Sequence, residues 1–110
     1  MEPEEQIKRA RVLRDRIKQA SAQVGPRDRM LQVKGADPNE LKKIYAFFLK
    51  HRDMNELRKL VGKLPSSNFA RRSGSTHGYY QNIQTALSAD FYRLNVDDAV
   101  FVLGWACRLM

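Results

Sequence analysis

Two short segments with the same pattern restrict this chain to a helical fold more strongly than any other feature. Asp37–Glu40 and Asp53–Glu56 each place an aspartate three residues before a glutamate. Such an aspartate accepts a hydrogen bond from the backbone of a helix start, and the glutamate can reach back to the aspartate's own N–H. Pro38 suits the first helical position. The pattern therefore predicts two short helices separated by a tight turn at His51 and Arg52.

Apolar residues recur at intervals of three and four along most of the remaining chain, which predicts further amphipathic helices. A long first helix is expected over Pro3–Val24, a fourth after Thr76, and a last one that Asn95 begins. Residues 27–36 are less regular, and a short helical turn and a flap over the core both remain open for them. The predicted fold is all-α, a single domain over residues 1–110 with about five helices and a basic Ser/Gly loop between helices three and four.

The composition points to a polyanionic partner. Among 110 residues, 20 are Lys or Arg and 12 are Asp or Glu, so the net charge is +8 and the pI is near 10. A surplus of this size attracts nucleic acid. The single cysteine, the acidic N-terminus and the lack of an apolar run of about 20 residues lead us to expect a cytoplasmic protein without membrane contact.

The segment Phe69–Tyr80 interrupts the helical pattern with polar side chains suited to phosphate. Guanidinium groups and hydroxyls bind phosphate oxygens, and a helix start offers unpaired N–H groups. Thr76 is expected to cap the helix that starts here. The residues predicted to contact nucleic acid are Arg71, Arg72, Ser73, Ser75, Thr76 and His77. The alternative interpretation is a loop that only turns the chain.

Two other segments supply further candidate contacts to phosphate. Arg9, Arg11, Arg14 and Lys18 lie around the apolar stripe of the first helix, and Arg27 and Arg29 lie in the irregular segment that follows it. Cations spaced along a helix can follow a phosphate backbone. A solvated helix face explains the same residues, and this alternative stays open.

The last helix is the most apolar part of the chain, since apolar side chains occupy nearly every face from Val96 to Met110. Phe101, Trp105 and Arg108 fall on one stripe at spacings of four and three. Aromatic anchors with an arginine at the rim are typical of protein interfaces, so these three are predicted to contact other protein subunits or copies of this chain. The alternative is that Trp105 belongs to the core.

The residues offer little for catalysis. His51, His77 and Cys107 are far apart in the sequence, so neither a metal site nor a cofactor is expected. Asp97 and Asp98 are explained by the dipole of the helix that they begin. One enzymatic alternative survives, a metal-free ribonuclease in which His77 is the general base beside Arg71, Arg72 and a tyrosine.

Three segments resemble the small helical subunits of type III CRISPR RNA-guided effector complexes. They are Phe69–Gly74, Tyr79–Ile83 and Leu103–Met110, in a chain of similar size, charge and helix pattern. The resemblance implies a helical bundle without catalytic activity that lies in the complex in several copies. It also implies contacts with neighbouring copies and with the guide–target duplex or target strand through basic side chains. It transfers no individual site.

We therefore expect a non-catalytic RNA-binding subunit of a larger ribonucleoprotein, with RNA favoured over DNA. The main alternative is a DNA-binding transcriptional regulator that uses the helical hairpin at residues 38–64. Against this alternative, no helix of the hairpin is rich in the Asn, Gln and Arg residues that read bases.

Overall fold

The computed structural model describes residues 1–66 and 74–110, and this part of the chain is mostly helical with one small two-stranded sheet. Its helices and strands are α1 (Pro3–Gln19), β1 (Ser21–Val24), β2 (Leu31–Lys34), α2 (Pro38–His51), α3 (Met54–Lys63), α4 (Gly74–Ala86), α5 (Ala89–Tyr92) and α6 (Val96–Leu109). Single turns of 3-10 helix lie at Arg27–Arg29 and Leu64–Ser66.

Helices α1, α2 and α6 form the centre of the molecule, with α6 packed against both of the others. From α1, Ala10, Leu13 and Ile17 are buried against α6, which carries buried Ala99 and Leu103. The apolar stripes read from the sequence supply this core, and burial of such side chains is the main force that holds helices together. The prediction of a mostly helical fold is confirmed.

The helix starts predicted at Asp37, Asp53 and Asn95 are also confirmed. The carboxylate of Asp37 accepts a hydrogen bond from the backbone N–H of Asn39, and that of Asp53 accepts two at the start of α3. Arg52 adopts a left-handed conformation between them, with φ of 47°. Asn95 caps α6 by accepting from the N–H of Asp98 at 2.9 Å. Local capping rules are sufficient to locate these helices.

The first helix is shorter than predicted, because the chain from Ser21 to Lys34 forms an antiparallel hairpin instead of continuing α1 to Val24. Ala22 pairs with Val33 and Val24 with Leu31. β-branched valines favour strands, and alternate residues of a strand face the same side. The turn between the strands begins at Gly25, whose φ of +101° suits glycine. An all-α fold was thus wrong for this segment.

Helix α4 lies along the hairpin and holds it in place. Gly78 abuts Val33 so closely that a Cβ on the glycine would lie 2.4 Å from the valine's Cβ. The side-chain amide of Asn82 is 1% exposed and donates to the backbone oxygens of Val33 and Gly35, at 3.0 and 2.7 Å. The side of α4 that carries Gly78 and Asn82 therefore lies along the chain's own hairpin.

A second contact ties α4 to α2. The hydroxyl of the buried Tyr80 donates to the carboxylate of Glu40, where the sequence predicted that Glu40 reaches back to its own helix start. Burial and, second, the hydrogen bond and charge of Glu40 raise the pKa of Tyr80 to about 12. Glu40 therefore joins two helices rather than capping one.

Two side chains of α6 with ionisable groups are buried. Cys107 is buried, and this burial raises the pKa of its thiol to about 11. Asp98 is buried as well and accepts from the side chain of Gln6 at 2.8 Å, which fastens the start of α6 to the start of α1. In the described residues, every helix is too short or too polar to cross a bilayer.

Candidate nucleic-acid interface

The predicted polar loop before α4 is only partly described. Arg71, Arg72 and Ser73 lie outside the described residues. Ser75, Thr76 and His77 fall in the first turn of α4 and are half-buried. The described helix includes Gly74, so Thr76 lies within the helix rather than at the cap position predicted for it. His77 Nε2 lies 2.9 Å from the Nε2 of Gln81.

The cations of α1 divide into two groups on opposite flanks of the helix. Arg11, Arg14 and Lys18 share one flank at spacings of three and four. Arg11 and Lys18 are exposed and make no ion pair within residues 1–66 and 74–110, whereas Arg14 pairs with its neighbour Asp15 at 2.9 Å. This flank leads toward the hairpin.

The other flank of α1 carries Arg9 and Arg16, which the chain neutralises itself. Arg9 contacts Glu5 at 3.4 Å, and Arg16 contacts Asp90 and the hydroxyl of Ser88 at 3.1 and 3.0 Å. Two partners lower the pKa of Asp90. The hydrogen bond from the Ser88 hydroxyl has the larger effect, and Arg16 has a smaller one. Arg9, a predicted nucleic-acid contact, is therefore engaged within the protein.

The hairpin brings a further lysine beside the free flank of α1. The N–H of Gly35 donates to the carbonyl of Ala20, and a Cβ on Gly35 would lie 3.7 Å from the Cα of Lys18. Lys34 precedes Gly35, is exposed, and makes no ion pair within the described part of the chain. Two free ammonium groups are thus anchored on adjacent backbone segments.

The outward face of the hairpin is polar throughout. Strand alternation turns Ser21, Gln23, Gln32 and Lys34 away from α4, and Gln32 donates to the Ser21 hydroxyl at 2.9 Å. We use the term hairpin surface for the exposed side chains that adjoin one another here, namely Lys18, Ser21, Gln23, Arg29, Gln32 and Lys34. The sequence analysis missed Ser21, Gln23 and Gln32, although the period-two alternation around Ala22 and Val33 was a readable signal.

The tip of the hairpin and the start of α4 lie at the same end of the molecule. Along α4, Asn82 meets Gly35 and Gly78 meets Val33, so the chain toward Gly74 runs in the direction of the hairpin turn. Arg29 is exposed in that turn beside Asp28. Arg27 begins the 3-10 turn, and its side chain is outside the described part of the structure. The described part of the predicted loop segment, Ser75–His77, therefore lies toward the end of the hairpin that carries Arg29.

The three predicted interface residues of the last helix also share one surface. Phe101 is 37% exposed, and its ring centroid lies 6.1 Å from that of the half-buried Trp105. The guanidinium of Arg108 lies 5.3 Å from the centroid of the Trp105 ring. Trp105 is therefore neither a fully buried core residue nor a free one. It packs on the core and presents part of its surface to a groove.

That groove, the α2–α6 groove, has a volume of about 670 Å³ and lies between Lys42 and Tyr45 on one side and Phe101, Trp105 and Arg108 on the other. Tyr45 lies so close to Gly104 that a Cβ there would be 2.9 Å from the tyrosine oxygen.

A second groove of about 680 Å³, the α1–α6 groove, is bordered by Arg9, Arg16, Glu5 and Asp90 and has Val12 and Phe91 among its apolar residues. Of these two grooves, only the second is bordered by both basic and acidic side chains.

Neither protein-family models, nor curated proteins, nor solved structures gave a match to this chain. The described residues contain no group of three or more His, Cys, Asp or Glu side chains that could hold a metal ion.

The hairpin surface offers ammonium and guanidinium donors that make no ion pair within the described residues, beside uncharged amides. Such groups bind phosphate oxygens and hydroxyls.

Proposed function

We propose that this protein is a non-catalytic RNA-binding subunit that contacts backbone phosphates through the hairpin surface. The proposal rests on one observation, that some cations around α1 form ion pairs and others do not. Arg9 and Arg16 are paired with acids, whereas Lys18 and Lys34, on adjacent backbone segments, are exposed and free of ion pairs within the described residues. Free cations release counterions when they meet phosphates, which drives binding without reading sequence.

RNA is favoured over DNA because the outward face of the hairpin offers amide and hydroxyl groups beside the lysines. The ribose 2′-hydroxyl both donates and accepts hydrogen bonds, and side chains such as Gln23 and Gln32 can match either role. Membership of a larger ribonucleoprotein rests on the resemblance to the small helical subunits of type III CRISPR effector complexes. The polar residues of the hairpin do not bear on that part of the proposal.

The contacts of the α2–α3 hairpin give the DNA-binding alternative less support. Three exposed cations there are engaged within the chain: Lys43 with Glu40, Lys59 with Glu56, and Arg58 with the ring of Tyr92. Preference for one duplex DNA sequence by about 100-fold over random DNA would favour the alternative, because contacts to phosphate alone do not distinguish sequences.

The test compares two double variants that remove the same charge. Lys18→Gln with Lys34→Gln and Arg9→Gln with Arg16→Gln each lower the net charge from +8 by two. For a single-stranded oligouridylate, the first pair should weaken binding by an order of magnitude or more at 0.1 M salt and reduce the log–log salt slope by about 1.4. The second pair should leave the slope unchanged. Equal losses in both pairs would refute the proposed surface, and wild-type protein that binds no RNA at low salt would refute the function.

A further inference from the structure

The α2–α6 groove combines aromatic rings with cations, and no Asp or Glu side chain of the described residues lines it. Phe101 and Trp105 come from α6 and Tyr45 from α2, while Lys42 and Arg108 supply positive charge from the two sides. Within residues 1–66 and 74–110, Lys42 makes no ion pair and Arg108 engages only the ring of Trp105. The groove is therefore suited to a ligand that is flat, apolar on its faces and negatively charged nearby.

The groove has the size and polar equipment of a binding site for one such group. Its volume of about 670 Å³ lies within the range of roughly 300–1,000 Å³ found for small-ligand sites. The hydroxyl of Tyr45, which has no hydrogen-bond partner within the described part of the chain, adjoins the groove at Gly104. An edge with hydrogen-bonding groups could pair with this hydroxyl while the faces stack on the neighbouring rings.

The groove is also connected to the hairpin surface by a very short piece of chain. β2 ends at Lys34, and the rim of the groove begins four residues later at Pro38. Four residues span at most about 14 Å, so a strand bound on the hairpin surface could reach the groove within a few nucleotides. The α1–α6 groove is also near in the chain, since Arg16 borders it two residues before Lys18, but Glu5 and Asp90 there oppose a polyanion.

We propose that the α2–α6 groove takes an unpaired base of single-stranded nucleic acid, stacked on Trp105 and Phe101 with its phosphate near Arg108 and Lys42. The inference rests on the proposed function, because the hairpin surface supplies the strand. Stacking on aromatic rings and on guanidinium planes accepts any base, which agrees with binding that does not read sequence. The groove thereby adds a preference for single strands over duplexes.

The fluorescence of Trp105 reports directly on this groove, because the chain contains one tryptophan. An oligouridylate of twelve nucleotides should quench the emission saturably, since a base stacks on the indole. An abasic oligonucleotide of the same length should bind more weakly, as measured by anisotropy of a labelled strand, and should cause no comparable quenching. An acidic peptide with glutamate and leucine residues provides the third arm.

Substitutions then locate the effect. Phe101→Ala and Arg108→Gln change exposed side chains, and the loss of a stacked base lowers affinity by roughly 5- to 150-fold. We expect a loss in this range for oligouridylate and little change for the abasic strand. Val12→Ala, which truncates another exposed apolar side chain in the α1–α6 groove, is the matched control and should change neither.

The outcomes separate the two proposals. If oligouridylate and the abasic strand bind equally without quenching, the base site is refuted while the hairpin surface stands. If neither strand binds, the proposed function falls with it. Quenching by the acidic peptide that exceeds quenching by oligouridylate would show that the groove is a protein-docking site, and this would also overturn the inference.

Discussion

The hairpin surface and the α1–α6 groove both border α1, yet the chain treats their cations in opposite ways. In the groove, Arg9 and Arg16 meet Glu5 and Asp90. On the hairpin surface, Lys18 and Lys34 are exposed and find no acid among residues 1–66 and 74–110. Exposed ion pairs stabilise a fold by about 1 kcal/mol at most. Pairing therefore matters mainly for the local electrostatic field. The positive field is cancelled in the α1–α6 groove and persists at the hairpin surface.

The two regions also differ in how they are held. The α1–α6 groove lies on the core formed by α1 and α6, where many apolar contacts hold the two helices together. The hairpin is attached through a close contact at Gly78, two hydrogen bonds from Asn82 and a few apolar side chains. Single substitutions should therefore disturb the hairpin surface far more than the groove.

The largest expected effect comes from Gly78→Ala. The new methyl group would lie 2.4 to 2.8 Å from three carbon atoms of Val33, so the hairpin must move away from α4. Overpacking of this kind costs about 1 to 3 kcal/mol, and we expect the upper end together with a marked loss of RNA affinity. Thermal unfolding and anisotropy measure the two effects.

Gly62→Ala is the matched control for this substitution. Gly62 also lies within a helix, and a Cβ there would meet nothing within 4 Å. Alanine is the better helix former, so this variant should gain about 0.4 to 1 kcal/mol and keep its affinity. If Gly78→Ala is as stable as the wild type and binds as well, the hairpin is not fixed by α4 and the contrast between the regions is wrong.

The second effect, of about 2 to 3 kcal/mol, appears at alkaline pH. Folding raises the pKa of Tyr80 from 10.0 to about 12, so the stabilisation is complete below pH 10 and is lost as the pH rises from 10 to 12. Urea unfolding at several pH values should show this decline in the wild type and a smaller one in Tyr80→Phe. Glu40→Gln should lie between them, because burial of Tyr80, the larger cause, remains. Parallel curves for all three proteins would contradict the assignment.

The helices of this fold could be predicted from the sequence because their signals are local. Asp37, Asp53 and Asn95 cap helices through bonds to residues two or three positions away. The hairpin could not be predicted in the same way. Val24 fits both a helical spacing from Ile17 and a period-two alternation with Ala22, and the choice between them depends on pairing with β2 and on packing against α4.

The candidate site was predictable in its residue types but not in its charge balance. The sequence shows that α1 is rich in cations, but Arg16 meets an acid 74 positions away, and only the fold brings them together. Asn82 shows the same limit. The local sequence does not indicate that it is buried, because its partners, the backbone oxygens of Val33 and Gly35, lie 49 and 47 positions away.

The smallest effect sharpens the charge comparison and comes from Asp90→Asn, which removes the carboxylate partner of Arg16. The side chains of this ion pair are about half exposed, at 45% and 54%, so the loss of stability should stay below about 1 kcal/mol. Because the pKa of Asp90 is lowered in the folded protein, this small stabilisation exists above its ordinary value of 3.8 and disappears as the pH falls through the lowered value. The difference in unfolding free energy between wild type and variant should therefore vanish in acid.

At neutral pH the Asp90→Asn variant should bind RNA at most about two-fold more tightly, with an unchanged salt slope, because a cation far from the strand acts only through the screened field. A slope that steepens by about 0.7 would mean that the released Arg16 reaches a phosphate. The strand would then pass over the α1–α6 groove, and the separation between the two regions would fail.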